Sequence, residues 1–195
     1  MRRLHLLLLP VLALLLMAQA QPEPPEAERY APGRRAGLVN DGAGGCWLRV
    51  GGMTPDVEAM RATWTGPCVG GLAEGKGRSV MTWRQGGQER SMVYEGELRA
   101  GLAEGRGRLT HLRGETVIAI EEGEFREDRF VQGRWEVPGQ VTYEGGWGLQ
   151  GPEGQGRAVI QGRRFEGLWQ AGCLRLRESW ISFLRSPRDC EGTRT

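Results

Sequence analysis

The chain has 195 residues, 32 of them glycine and seven tryptophan, with 26 basic against 24 acidic side chains. A balance this close to neutral removes the basic footprint expected of a nucleic-acid-binding protein. With only 39% hydrophobic residues and a glycine at every turn of the pattern, the chain offers little from which to build a helical globular core.

Residues 1–20 read as a secretory signal. Arg2 and Arg3 precede an apolar run from Leu6 to Met17, and Ala18-Gln19-Ala20 supplies a small-x-small cleavage site, placing the cut between Ala20 and Gln21. The run contains Pro10 and is too short to span a membrane. No transmembrane segment is expected after cleavage, and the expected location is periplasmic, with secretion as the alternative. Losing Arg2 and Arg3 leaves 24 basic residues against 24 acidic ones, so the basic pI belongs to the leader.

Residues 21–45 are rich in Pro, Ala, Glu, Arg and Gly and read as a disordered tether. An N-terminal β cap follows at 46–63, in which Cys46–Val50 and Ala62–Trp64 read as the strands of a leading hairpin. From 64 to 172 the chain repeats. Gly71-Leu-Ala-Glu-Gly-Lys-Gly-Arg78 returns as Gly101-Leu-Ala-Glu-Gly-Arg-Gly-Arg108, identical at seven of eight positions. Each copy trails an aromatic-x-Gly, Trp64-Thr65-Gly66 and Tyr94-Glu95-Gly96. Tyr143-Glu144-Gly145 and Phe165-Glu166-Gly167 open further units, and Glu121-Glu122-Gly123 opens a degenerate one without its aromatic. Unit starts therefore fall at 64, 94, 121, 143 and 165.

Each unit reads as a hairpin. Arg78–Trp83 and Ser91–Tyr94 flank a Gly86-Gly87 turn, the pattern of two strands around a tight connection. The opening aromatic and the apolar residue four later share a strand face. Stacked hairpins cover one another's aromatic side, which predicts an all-β protein: one elongated, single-layer antiparallel sheet. Gly105 and Gly154 are expected to be framework positions less tolerant of substitution than Gly114 or Gly139.

The motif Tyr-Glu-Gly-x-Phe/Trp with trailing Gly-x-Gly resembles the MORN (membrane occupation and recognition nexus) repeat over roughly Trp64 to Gly172. The resemblance implies a curved β array used for protein contacts or, in some members, attributed to phospholipids. It implies no catalysis by the repeats themselves.

Cys46 and Cys68 lie at one end of the array, Cys173 and Cys190 at the other. Export favours disulfides, and the array separates the two pairs, so Cys46–Cys68 and Cys173–Cys190 are the expected bridges. The spacings contain no Cys-x-x-Cys knuckle, which argues against zinc. In the C-terminal cap and tail, 173–195, Leu174–Leu184 is readable as helix or strand. The turn at Ser186-Pro187 leading to Cys190 favours strand.

Catalytic motifs fail on inspection. Gly70-x-x-x-x-Gly75-Lys76 imitates a phosphate loop but lacks the following Ser or Thr and recurs as repeat framework. His111 is the sole histidine after cleavage, and Glu95, Glu122, Glu144 and Glu166 recur once per unit as framework. No catalytic residue, metal or cofactor is expected. The expected function is a non-catalytic protein-binding or scaffolding module of the bacterial envelope. The alternative is a glycan- or phospholipid-headgroup-binding module. The candidate interaction surface is aromatic: Trp83, Trp135, Tyr143, Trp147 and Trp169. Rings on an open groove would favour sugar, and rings sealed beneath strands a protein partner.

Overall fold

A computed structural model describes residues 23–43, 45–183 and 186–191; the signal segment, with Ala20 and Gln21, lies outside them. The described residues form fifteen strands in chain order. The first five are β1 (Gly37–Asn40), β2 (Trp47–Val50), β3 (Val57–Trp64), β4 (Cys68–Val69) and β5 (Leu72–Ala73). Five longer ones come next: β6 (Gly75–Gln85), β7 (Gln88–Arg99), β8 (Leu102–Arg113), β9 (Thr116–Arg126) and β10 (Arg129–Val137). The array ends with β11 (Val141–Gly148), β12 (Gly151–Ile160), β13 (Arg163–Gln170), β14 (Cys173–Arg175) and β15 (Trp180–Ser182). Among the described residues there is no α-helix, only short 3-10 turns at Glu26–Glu28 and Pro187–Cys190.

The strands β3 and β6 to β15 form one eleven-stranded sheet in which sequence neighbours pair antiparallel, as the hairpin reading predicts. Register is the reason the repeat exists. Gly77, Gly96, Gly107, Gly123, Gly133, Gly145, Gly156 and Gly167 are successive cross-strand partners, a row of glycine across eight strands. In the units opened by Trp64, Tyr94 and Tyr143 the ring lies over this row. A Cβ on Gly96 would sit 2.5 Å from Tyr94 Oη, and one on Gly77 2.6 Å from the Trp64 ring. Each ring is then fixed at its polar end by the carbonyl three residues on. Trp64 Nε1 donates to Pro67 O (2.8 Å), Tyr94 Oη to Glu97 O (3.1 Å) and Tyr143 Oη to Gly146 O (3.0 Å). Aromatic-x-Gly is therefore a packing rule, with the missing side chain leaving room for the ring.

The row beside the glycines carries charge on the opposite, exposed face. Arg78, Glu95, Arg108, Glu122, Arg134, Glu144, Arg157 and Glu166 alternate in sign strand by strand. Ion pairs link several of them, including Arg108–Glu122 at 2.6 Å and Arg157–Glu144 at 3.1 Å. Other acids hold the turns. Glu74 accepts from the Ala100 N–H, Glu104 from Glu127 and Glu153 from Ala171. Those three donors sit at φ between 49° and 50°, the left-handed turn conformation that costs a non-glycine residue energy.

Four expectations need correction. Residues 21–45, expected as a tether, contribute β1, because Leu38 and Val39 bury their side chains. Cys46–Val50 and Ala62–Trp64 do not form a hairpin together. Instead β2 pairs with β1 and, in parallel, with β5, giving a separate four-stranded sheet, while β3 pairs with β6. Gly105 and Gly154 do not differ from Gly114 and Gly139: all four have positive φ and open space where a Cβ would stand. The crowded glycines are those of the cross-strand row. The candidate aromatic surface fails as well, as described below. Both expected disulfides, Cys46–Cys68 and Cys173–Cys190, are formed, one near each end, and the segment after Cys173 is strand, as expected.

Candidate functional site

The third unit breaks the packing rule. Where its neighbours open with Tyr94, Tyr143 and Phe165, it has Glu121, paired in register with Leu109 on one side and Trp135 on the other. With no ring there, the inner face is hollow. A cavity of about 420 Å³ opens beside Glu121, walled by Leu48, Met53, Met81, Met92, Leu109 and Phe125. The small N-terminal sheet covers it. The Arg49 N–H donates to Gly101 O (3.0 Å) and Arg49 Nε to Ala100 O (3.1 Å), which clamps β2 over the β7–β8 turn.

Polar groups also line this apolar space. His111 Nε2 lies 3.1 Å from Glu121 Oε1, with the two side chains 28% and 19% exposed. Asp128, an exposed residue on the β9–β10 turn at the cavity's edge, accepts the Ala103 N–H through its carboxylate. Desolvation, against that hydrogen bond and Arg49, pushes the Asp128 pKa up to about 6. The same desolvation, reinforced by the Asp128 charge, raises Tyr94 to about 12. A carboxylate–imidazole couple of this kind orients a general base when a nucleophile lies within hydrogen-bond reach. Ser79 also lines the cavity, but it is on β6, two strands from His111 on β8, a span of roughly 10 Å.

The five aromatic candidates are not gathered on an open face. Trp135, Tyr143 and Trp169 are buried, and Trp147 is half-buried among them. Their alternation turns them inward, and Phe183 covers them, with ring centroids 5.1 Å from Trp135 and 5.8 Å from Tyr143 and Trp147. Trp83 stands apart, half-buried on β6 opposite Arg90. Trp135, Tyr143, Trp147 and Trp169 belong to the core.

Sequence reasoning missed Met53, Met81, Met92 and Glu121. The available signal was the missing aromatic at 121, because a broken packing rule leaves a hole wherever the neighbouring rings cannot move in. No protein-family model matches this chain, and no curated protein matches it either.

Proposed function

We propose that this chain is an exported MORN-repeat protein of the bacterial envelope that acts by holding a protein partner and turns over no substrate. The observation that carries the reading is the burial of Trp135, Tyr143 and Trp169, which removes the stacking platform a glycan would need. What the sheet offers instead is a broad exposed face of alternating Arg and Glu, its ends held by disulfides. Exposed ion pairs of this sort add little to stability, but a fixed pattern of sign discriminates between partners. Glutamates that recur once per unit serve as rungs or turn clasps.

The test is photocrosslinking in intact cells from probes at Arg108 and Arg134, combined with charge reversal of both residues to Glu. The expected result is a discrete protein adduct lost on reversal, with thermal stability preserved. His111→Ala should leave that capture intact. Capture that survives reversal, or a robust hydrolytic activity abolished by His111→Ala in a folded protein, would overturn the reading.

A further inference from the structure

The side chains around the cavity have a chemistry that partner binding does not use. The sequence holds six methionines, and beyond Met1 and Met17 of the leader the four that remain are Met53, Met60, Met81 and Met92. Three of these four line the cavity, together with His111, the only histidine beyond the leader. Register brings them side by side: Met81 is the cross-strand partner of Met92, and Met92 of His111. Directly opposed residues hold their Cβ atoms roughly 5 Å apart. Methionine side chains are unbranched and flexible, so their reach is enough to cross gaps of this size. Met53 comes from the loop that follows β2.

We propose that this cavity binds one soft monovalent cation of the copper(I) or silver(I) class through the thioether sulfurs of Met53, Met81 and Met92 and the Nδ1 of His111. Thioethers are soft ligands that select such ions over zinc, calcium or magnesium. Among the described residues no group of three or more His, Cys, Asp or Glu is placed to hold a harder cation. No free cysteine competes, since both pairs are disulfide-bonded. Glu121 completes the arrangement. Its carboxylate bonds His111 Nε2, which leaves Nδ1 for the metal, fixes the ring and supplies a neighbouring negative charge. Methionine in a core normally serves to fill gaps. Here the three side chains line an open space instead, and all of Met81, Met92 and His111 are only half-buried.

The experiment is calorimetric titration of the oxidised protein with silver nitrate in chloride-free buffer, with [13C-methyl]methionine NMR as a second readout. The expected result is one equivalent bound, with the methyl signals of Met53, Met81 and Met92 shifted and that of Met60 unmoved. Met92→Leu, which conserves volume and so keeps the fold, should weaken binding at least tenfold. His111→Ala should do the same, whereas Met60→Leu should bind as the unaltered protein does. The absence of saturable binding, equal shifts at Met60, or affinity retained in Met92→Leu would overturn the proposal. If Met92→Leu does not fold, the methyl map on the unaltered protein decides it. Partner capture proceeding normally without metal leaves this site intact, so the two readings fail separately.

Discussion

Replacing Gly156 with alanine tests the physical account of the repeat at its closest ring-over-glycine contact. A Cβ there would lie 2.5 Å from Cζ and 2.7 Å from Cε2 of Tyr143, with the ring oxygen closer still. Tyr143 is fully buried and wedged between Trp147 and Trp169, so it has nowhere to retreat. Overpacking of this kind costs about 1–3 kcal/mol. Displacing the ring also breaks the hydrogen bond from Tyr143 Oη to Gly146 O, worth about 0.5–1.5 kcal/mol. The expected loss is about 2–4 kcal/mol, a drop in Tm of roughly 5–15 °C for a chain of this size. Gly154→Ala is the control: two residues away, at φ +76° in open space, it should cost only the ~1–2 kcal/mol of a left-handed alanine. Thermal unfolding followed by circular dichroism measures both. In a Tyr143→Ala background the Gly156→Ala penalty should largely vanish, since the ring it collides with is gone. Equal midpoints for the two glycine variants, or strict additivity with Tyr143→Ala, would refute the ring-over-glycine account.

Glu121→Phe restores the aromatic that the third unit lacks; filling the hollow should raise stability by about 0.5–2 kcal/mol in denaturant titration while abolishing silver binding. Asp128→Asn should stabilise the protein at pH 7.5 but not at pH 3.5. The folded state holds the Asp128 proton up to about pH 6, above the ordinary carboxylate value of 3.8. The aspartate's contribution is therefore favourable in acid and is lost as pH rises through about 6. Asparagine stays neutral throughout, keeps the acceptor for the Ala103 N–H and tolerates φ +63°. Removing the Cys173–Cys190 bridge by paired alanine substitution should cost about 2–4 kcal/mol. It should also increase the fluorescence sensitivity of Trp169 and Trp135 to quenchers, because Phe183 is held over them by this cap.

The hairpin array was legible because it obeys a local rule. Tyr94-Glu95-Gly96 encodes, in three residues, an inward ring, an outward charge and the gap into which the ring folds, and the same three-residue pattern recurs at Tyr143-Glu144-Gly145. The pairing of cysteines was legible for the same reason of locality. The N-terminal sheet was not. Leu38 and Val39 are two apolar residues in a polar stretch, and their strand is defined by β2, which itself leans on β5 and on the Gly101 turn more than fifty residues away. No periodicity announces contacts of that range. Nor did sequence reveal that Trp135 and Trp169 face inward beneath Phe183, since a strand pattern gives the face a residue points to but not what covers that face.

Glu121 lies between these two kinds of information. As a letter it is a departure from a motif and invites the conclusion that the third unit is poorly formed. The strands around it are nonetheless regular: Gly123 and Gly133 keep their places in the glycine row, and Glu122 keeps its rung between Arg108 and Arg134. The backbone therefore tolerates the loss of the ring, and the cost falls on the inner face as empty space. A regular array surrounds that space with whatever its neighbouring rows supply, and those rows supply Met81, Met92 and His111 in consecutive strands. A ring at position 121, as in the neighbouring units, would occupy this space. In a scaffold of near-identical units, the position that departs from the rule while its backbone stays in register is where a specific ligand site has room to form.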